Sequence, residues 1–200
     1  AAREHPELVQ KYFATVIGKA ENKLTALHTA IWSGGVFLYV PKNTEVKLPI
    51  QTLFVTDRAE TVFSPHVLIV AEANSSVTYV SNYTSAGEQK ELVHNGAVEI
   101  VAEPGARVQY AAVHNLSAEI TDVSYRRALV QKDARIDWVI GEMNNGNVLS
   151  DVSSVLKGDG SSSYAKVICI GEGKHELNVS TRAVHFGLNS DSDMLTRAVM

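Results

Sequence analysis

Six short polar phrases punctuate this chain at nearly constant intervals: PKNT, EANS, EPGA, QKDA, GDGS and GLNS, beginning at residues 41, 72, 103, 131, 158 and 187. Successive starts lie 27 to 31 residues apart. Each phrase follows an apolar run and usually leads into an alternating one, and no helical period appears after Val36. Strand and turn repeating at one period is the mark of an array of equivalent units, none of which can bury its apolar face alone. The tetrapeptide IVAE, at 69–72 and again at 100–103, is the plainest copy.

Few architectures accept such a period. Propeller blades need about 40 residues and four antiparallel strands each, and stacked helix pairs need a helical pattern that is absent. A parallel β-solenoid remains, in which one repeat makes one coil and lies about 4.8 Å above the last. The reading is therefore mainly β, with residues 34–200 as the β-helix core and residues 1–33 as a short N-terminal helical segment. Within that segment HPELVQKYFATVI carries Pro6 at the first helical position and an apolar stripe of Leu8, Val9, Tyr12, Phe13, Val16 and Ile17. KLTALHTAIW is a second helix, halted by Ser33-Gly34-Gly35. A further register puts Asn82, Asn115 and Asn144 or Asn145 after three successive turns, and predicts a stacked asparagine ladder.

Charge and composition narrow the function. A net charge of -4 without a basic cluster disfavours nucleic acid, since Asp133 and Asp137 dilute the densest basic stretch, SYRRALVQKDAR. The apolar runs are far too short for a membrane helix and no leader pattern opens the chain, so a cytoplasmic location is the expectation. A single cysteine, Cys169, excludes an intrachain disulfide and is expected to pack as a small apolar residue.

Candidate chemistry is sparse. His66, His94, His114, His175 and His185 form no ligand motif and stand at different offsets from their turns, so they are not expected to converge. Glu72, Glu99, Glu103, Asp133, Asp137, Glu142 and Asp151 mostly fall in turns, where carboxylates are common. GDGSSS lacks the GK[ST] ending of a phosphate loop. No residue is assigned a catalytic, cofactor-binding or metal-ligating role.

Three longer strings carry a family resemblance. NKLTALHTAIWSGGVFLYVPKNTEVKLPIQTLF, HVLIVAEANSSVTYVSNY and GDGSSSYAKVICIGEGKHELNVSTRAVHFG together resemble the SufB/SufD family, the scaffold subunits of SUF iron–sulfur cluster assembly. HVLIV stands where the SufB branch has an RTLII-like phrase, so the likeness is to the SufD branch. The resemblance implies a right-handed parallel β-helix with further coils and a C-terminal helical domain beyond Met200. It implies SufB-like and SufC-like ATPase partners, with no catalysis by this chain itself. It implies, too, no cofactor resident in this segment and a cluster assembled transiently by the full complex. The family's cluster-building cysteine and histidine fall beyond Met200, and Cys169 does not match them. Two other readings stand beside it: a carbohydrate-active β-helix enzyme, and a structural module that forms homodimers through an exposed solenoid edge.

Overall fold

The computed structural model describes residues 3–57, 60–87, 91–116 and 120–199. Two parallel sheets face one another. The first is built from β1 (Gly34–Val40), β4 (Pro65–Ala71), β6 (Leu92–Ala102), β8 (Ile120–Val130), β10 (Gly146–Leu156) and β12 (Leu177–His185), with short β3 (Val62–Phe63) also paired to β6. The second runs through β2 (Ile50–Thr56), β5 (Ser76–Ser85), β7 (Arg107–Asn115), β9 (Arg135–Glu142), β11 (Ser162–Ile170) and β13 (Asp191–Val199). Each strand pairs with the equivalent strand of the next repeat, so the chain is a parallel β-solenoid. The duplicated tetrapeptide occupies adjacent rungs, with Ile69 opposite Ile100, Val70 opposite Val101 and Ala71 opposite Ala102.

The corners explain the period. The third residue of every punctuating phrase is left-handed: Asn43 (φ 59°), Asn74 (59°), Gly105 (73°), Asp133 (55°), Gly160 (68°) and Asn189 (54°). These are the residue types for which a positive φ costs least. Corner also bonds to corner. The N–H groups of Asn43, Asn74, Gly105, Asp133 and Gly160 donate to the carbonyls of Ala73, Pro104, Lys132, Asp159 and Leu188 in the following coil.

An asparagine ladder exists, but here rather than where it was expected: Asn74 Nδ2 donates to Asn43 Oδ1 at 3.1 Å. Asn82 instead lies opposite Leu53 and Val113, Asn115 lies opposite Thr84, and Asn144 turns into the interior. Strand register sets these neighbours, and counting from the turns missed it by one or two positions. Ser117, in the phrase VHNLS that suggested the ladder, lies outside the described residues.

Alternation fills the interior. Val67, Ile69 and Ala71 of β4 meet Val77 and Tyr79 of β5 and their counterparts in later coils, while Tyr79, Tyr110 and Trp138 stack in one column. Leu68 and Val70 point the other way, yet they too are buried. They lie beneath the N-terminal segment, packed with Tyr12, Val101, Leu8, Phe13, Val16, Phe37 and Tyr39.

That segment holds α1 (Pro6–Tyr12) and α2 (Lys23–Ile31). Asn22 caps α2 through a capping box with Thr25. The first helix stops at Tyr12, five residues before its apolar stripe ends. Ala14 turns left-handed (φ 55°), and the freed N–H groups of Ala14, Val16 and Ile17 reach a carboxylate, Glu99, on β6. A tertiary hydrogen-bond acceptor thus ends the helix, where the sequence pattern alone continues it to residue 17.

Candidate functional site

Along most of its length the interior is apolar. Near the C-terminal ends of the second-sheet strands it becomes ionic. Tyr83, His114, Glu142 and Cys169 form one inward column up β5, β7, β9 and β11. From the first sheet, His94 and Asp122 are register partners, as are Ser124 and Ser150, and Arg126 lies one inward position further along β8. His94, His114, Asp122, Arg126 and Glu142 are all at most 1% exposed.

Their hydrogen bonds fix a definite arrangement. Asp122 accepts from His94 Nδ1 (2.6 Å) and Ser124 Oγ (2.9 Å) on one oxygen, and from His114 Nδ1 (2.7 Å) and Asn144 Nδ2 (2.5 Å) on the other. Arg126 donates through Nη1 to Glu142 Oε1 (2.9 Å) and to Ser150 Oγ (2.8 Å); that serine passes its own hydrogen to Glu142 Oε1 at 2.7 Å. Arg126 Nη2 lies 2.7 Å from His114 Nε2. A guanidinium only donates, so His114 Nε2 accepts and its hydrogen sits on Nδ1, facing Asp122. His114 is a neutral ring bridging a cation and an anion.

Burial opposes ionisation of Asp122, but the two imidazoles hold its carboxyl well below the usual carboxylate range. Burial lowers His94 below the ordinary histidine value. Burial works against the Arg126 cation, and Glu142 beside it more than restores its charge. Cys169 is pushed up by burial and by the charge of Glu142, which keeps it a thiol rather than a nucleophilic thiolate.

Two histidines therefore do converge, contrary to the expectation of scatter. His94 and His114 come from opposite sheets, and offsets counted along the chain do not capture distance across the interior. With Asp122 their ligand atoms lie within 4.8 Å of one another, close enough to enclose an ion. The donor set fits a hydrogen-bonded pin better. Ligation through His114 Nδ1 would move its hydrogen to Nε2, against the N–H of Arg126. The remaining free acceptor, His94 Nε2, has no partner among the described residues and packs against Gly96, where even a Cβ would come within 2.8 Å.

The other histidines part company. His66 is buried on the outer face of β4, 2.9 Å from both His28 of α2 and Glu99. His185 is exposed and bonds Ser190 and Ser192, and His175 is half-buried. Of the acids, Glu99 and Glu142 are fully buried, while Glu72, Glu103, Asp133, Asp137 and Asp151 are not. Asp122, Arg126 and His28 were not singled out by sequence reasoning. Inward parity in strands of known register was the signal that would have found Asp122 and Arg126.

A parallel β-solenoid with an outer helical roof and a hydrogen-bonded ionic interior defines the class of protein by its fold. Comparison with known proteins gives the family. Residues 54–200 match the family profile described as "SUF system FeS cluster assembly, SufBD core domain", and residues 1–52 match "SufBD protein N-terminal region". The chain belongs to the SufBD family. It is 44% identical over 202 residues to the iron–sulfur cluster assembly protein SufD of Bacillus subtilis, covering all of this chain and 46% of that protein. SufBD family proteins of Staphylococcus saprophyticus and Staphylococcus epidermidis are 30% and 29% identical, each with 43% of its length covered. The chain thus spans somewhat less than half the length of these relatives. Among the described residues no helix is long and apolar enough to cross a membrane.

Proposed function

We propose that the protein containing this chain is a non-catalytic scaffold subunit of the SUF system, working in the cytoplasm with SufB-like and SufC-like partners. The iron–sulfur cluster is its cargo, built transiently by the whole complex, and ATP hydrolysis belongs to the SufC-like subunit. The observation that carries this reading is the likeness of the whole chain to 46% of a SufD protein, most of it along one solenoid. The chain's own residues support such a role by their rigidity. Rungs in unbroken register, with both sheets tied across the interior by Arg126, Glu142, His114 and Asp122, move together when a partner pushes on one end.

Nothing favours the polysaccharide-cleaving alternative. The strongly perturbed carboxyl, Asp122, is sealed inside the coils, where no glycan reaches. The test is co-purification: the whole protein, expressed with a SufB-like and a SufC-like protein from the same genome, should emerge as one complex on size exclusion. Separate elution of all three overturns the assignment.

A further inference from the structure

The face that roofs the first sheet carries chemistry the scaffold role does not use. Glu99 is wholly buried there, and four donors surround it. Ala14 N–H reaches Oε2 at 2.6 Å, Val16 and Ile17 N–H reach Oε1 at 2.7 and 2.8 Å, and His66 Nε2 lies 2.9 Å from Oε2. One rung on, Arg127 stands opposite Glu99 and grips the same stretch from the other side, through the Val16 carbonyl (3.2 Å) and Glu21 Oε1 (2.6 Å). Residues 14–21 therefore form a strap fastened by opposite charges on successive rungs.

Behind Glu99 the contacts continue. His66 Nδ1 is 2.9 Å from His28 Nε2, and His28 Nδ1 is 2.8 Å from the carbonyl oxygen of Asn95. Ser64 Oγ also touches His28 Nδ1 but gives its own hydrogen to the Asn95 carbonyl. The hydrogens can be counted. The nitrogen facing Asn95 must donate, because a carbonyl only accepts. The nitrogen facing Glu99 must donate as well, because that carboxylate already accepts three backbone N–H bonds. The contact between the rings needs one hydrogen more. Three hydrogens on two imidazoles is one beyond neutrality.

We infer that the His28–His66 pair holds one excess proton, and that this proton fastens the strap of residues 14–21 to the rod through Glu99. The proton sits on His66 and balances the Glu99 charge, while His28 is the neutral member. Burial, which lowers His28, supports that division. Of the other titratable groups, His94 acts on His28 through space from β6, Tyr125 of β8 lines the same small cavity, and the Arg127–Glu21 pair holds the far side of the strap; the Phe13 and Trp32 rings cover His66, and the α1 end contributes only backbone N–H groups. Removing the proton at higher pH deletes one bond of the chain and leaves Glu99 unbalanced, so the strap loosens. Adding a second at low pH sets two N–H groups face to face. The grip is strongest between.

The experiment is nitrogen NMR on the whole protein with ¹⁵N-labelled histidine. At neutral pH both ring nitrogens of His66 should read as protonated, with His28 keeping one bare nitrogen. In Glu99→Gln, His66 should regain a bare nitrogen, and amide exchange at Ala14, Val16 and Ile17 should quicken by about 10- to 100-fold, as for loss of bonds to a charged acceptor. Strand amides such as those of Ile69 and Ile100 should hold their rates. One bare nitrogen on each ring in the unsubstituted protein overturns the inference, as does unchanged exchange at all three amides in a folded Glu99→Gln. The unsubstituted spectrum decides the proton count by itself, so a misfolded variant offers no escape.

Discussion

Arg126 shows how much one inward position decides. In SYRRALV two arginines stand side by side, and strand parity sends them to opposite faces: Arg126 into the interior, Arg127 out to the strap. From the sequence both belonged to a diluted basic stretch, because the face of each depends on a register that only the neighbouring coils supply. Arg126→Met leaves Asp122 and Glu142 buried with no cation, and should lower unfolding free energy by about 3–5 kcal/mol in urea titrations. Arg135→Met, which breaks the exposed 2.7 Å pair with Asp137, should change it by about 0–1 kcal/mol. Acid sensitivity has a sign at the same scale. His28 and His94 are lowered by burial, so below about pH 6.5 the unfolded chain binds protons that the folded rings refuse, and stability falls. Asp122 is depressed when folded, so its contribution persists down to about pH 3.9 and is lost only as the pH drops further toward its folded value. Urea midpoints measured across this range should therefore decline in two stages.

At the level of elements, the corners were readable and the helix end was not. Polar tetrapeptides whose third residue is Asn, Gly or Asp announce a left-handed corner through local chemistry alone. The stop after Tyr12 depends on Glu99, distant in sequence, and no periodicity in residues 5–17 reports it. The histidine pin was hidden for the same reason, since His94 and His114 meet across two sheets. Asn74→Ala keeps a Cβ at φ 59° while removing the amide, and should cost about 1–2 kcal/mol. Asn74→Gly accepts that backbone freely and should cost less. The order of the two melting temperatures checks whether backbone conformation or the Asn43–Asn74 bond dominates.

Across the whole molecule the repeat itself was legible, because a period near 30 residues admits few folds. The roof of helices was legible only as helices, since nothing in an amphipathic stripe says which sheet face it will cover. Coil length varies, and the structure shows where. Crossings from the first sheet to the second take four or five residues between β4 and β5 and in every later coil, whereas the return crossings run from three residues after β9 and four after β7 to six after β5 and β11. Two residues inserted after Gly87, on a return crossing, should leave the melting temperature close to the parent's. The same insertion at Ala73–Asn74 should lower it sharply, because it breaks the corner's bond to Pro104.

One seam of this rod therefore behaves like the spine of a book and the other like the loose edges of its pages. Every circuit of the chain returns to the same place along the spine. A lineage could add, trim or duplicate pages at the loose margin while everything bound at the spine stayed aligned. That freedom gives a long scaffold a simple way to acquire new surfaces without losing its axis.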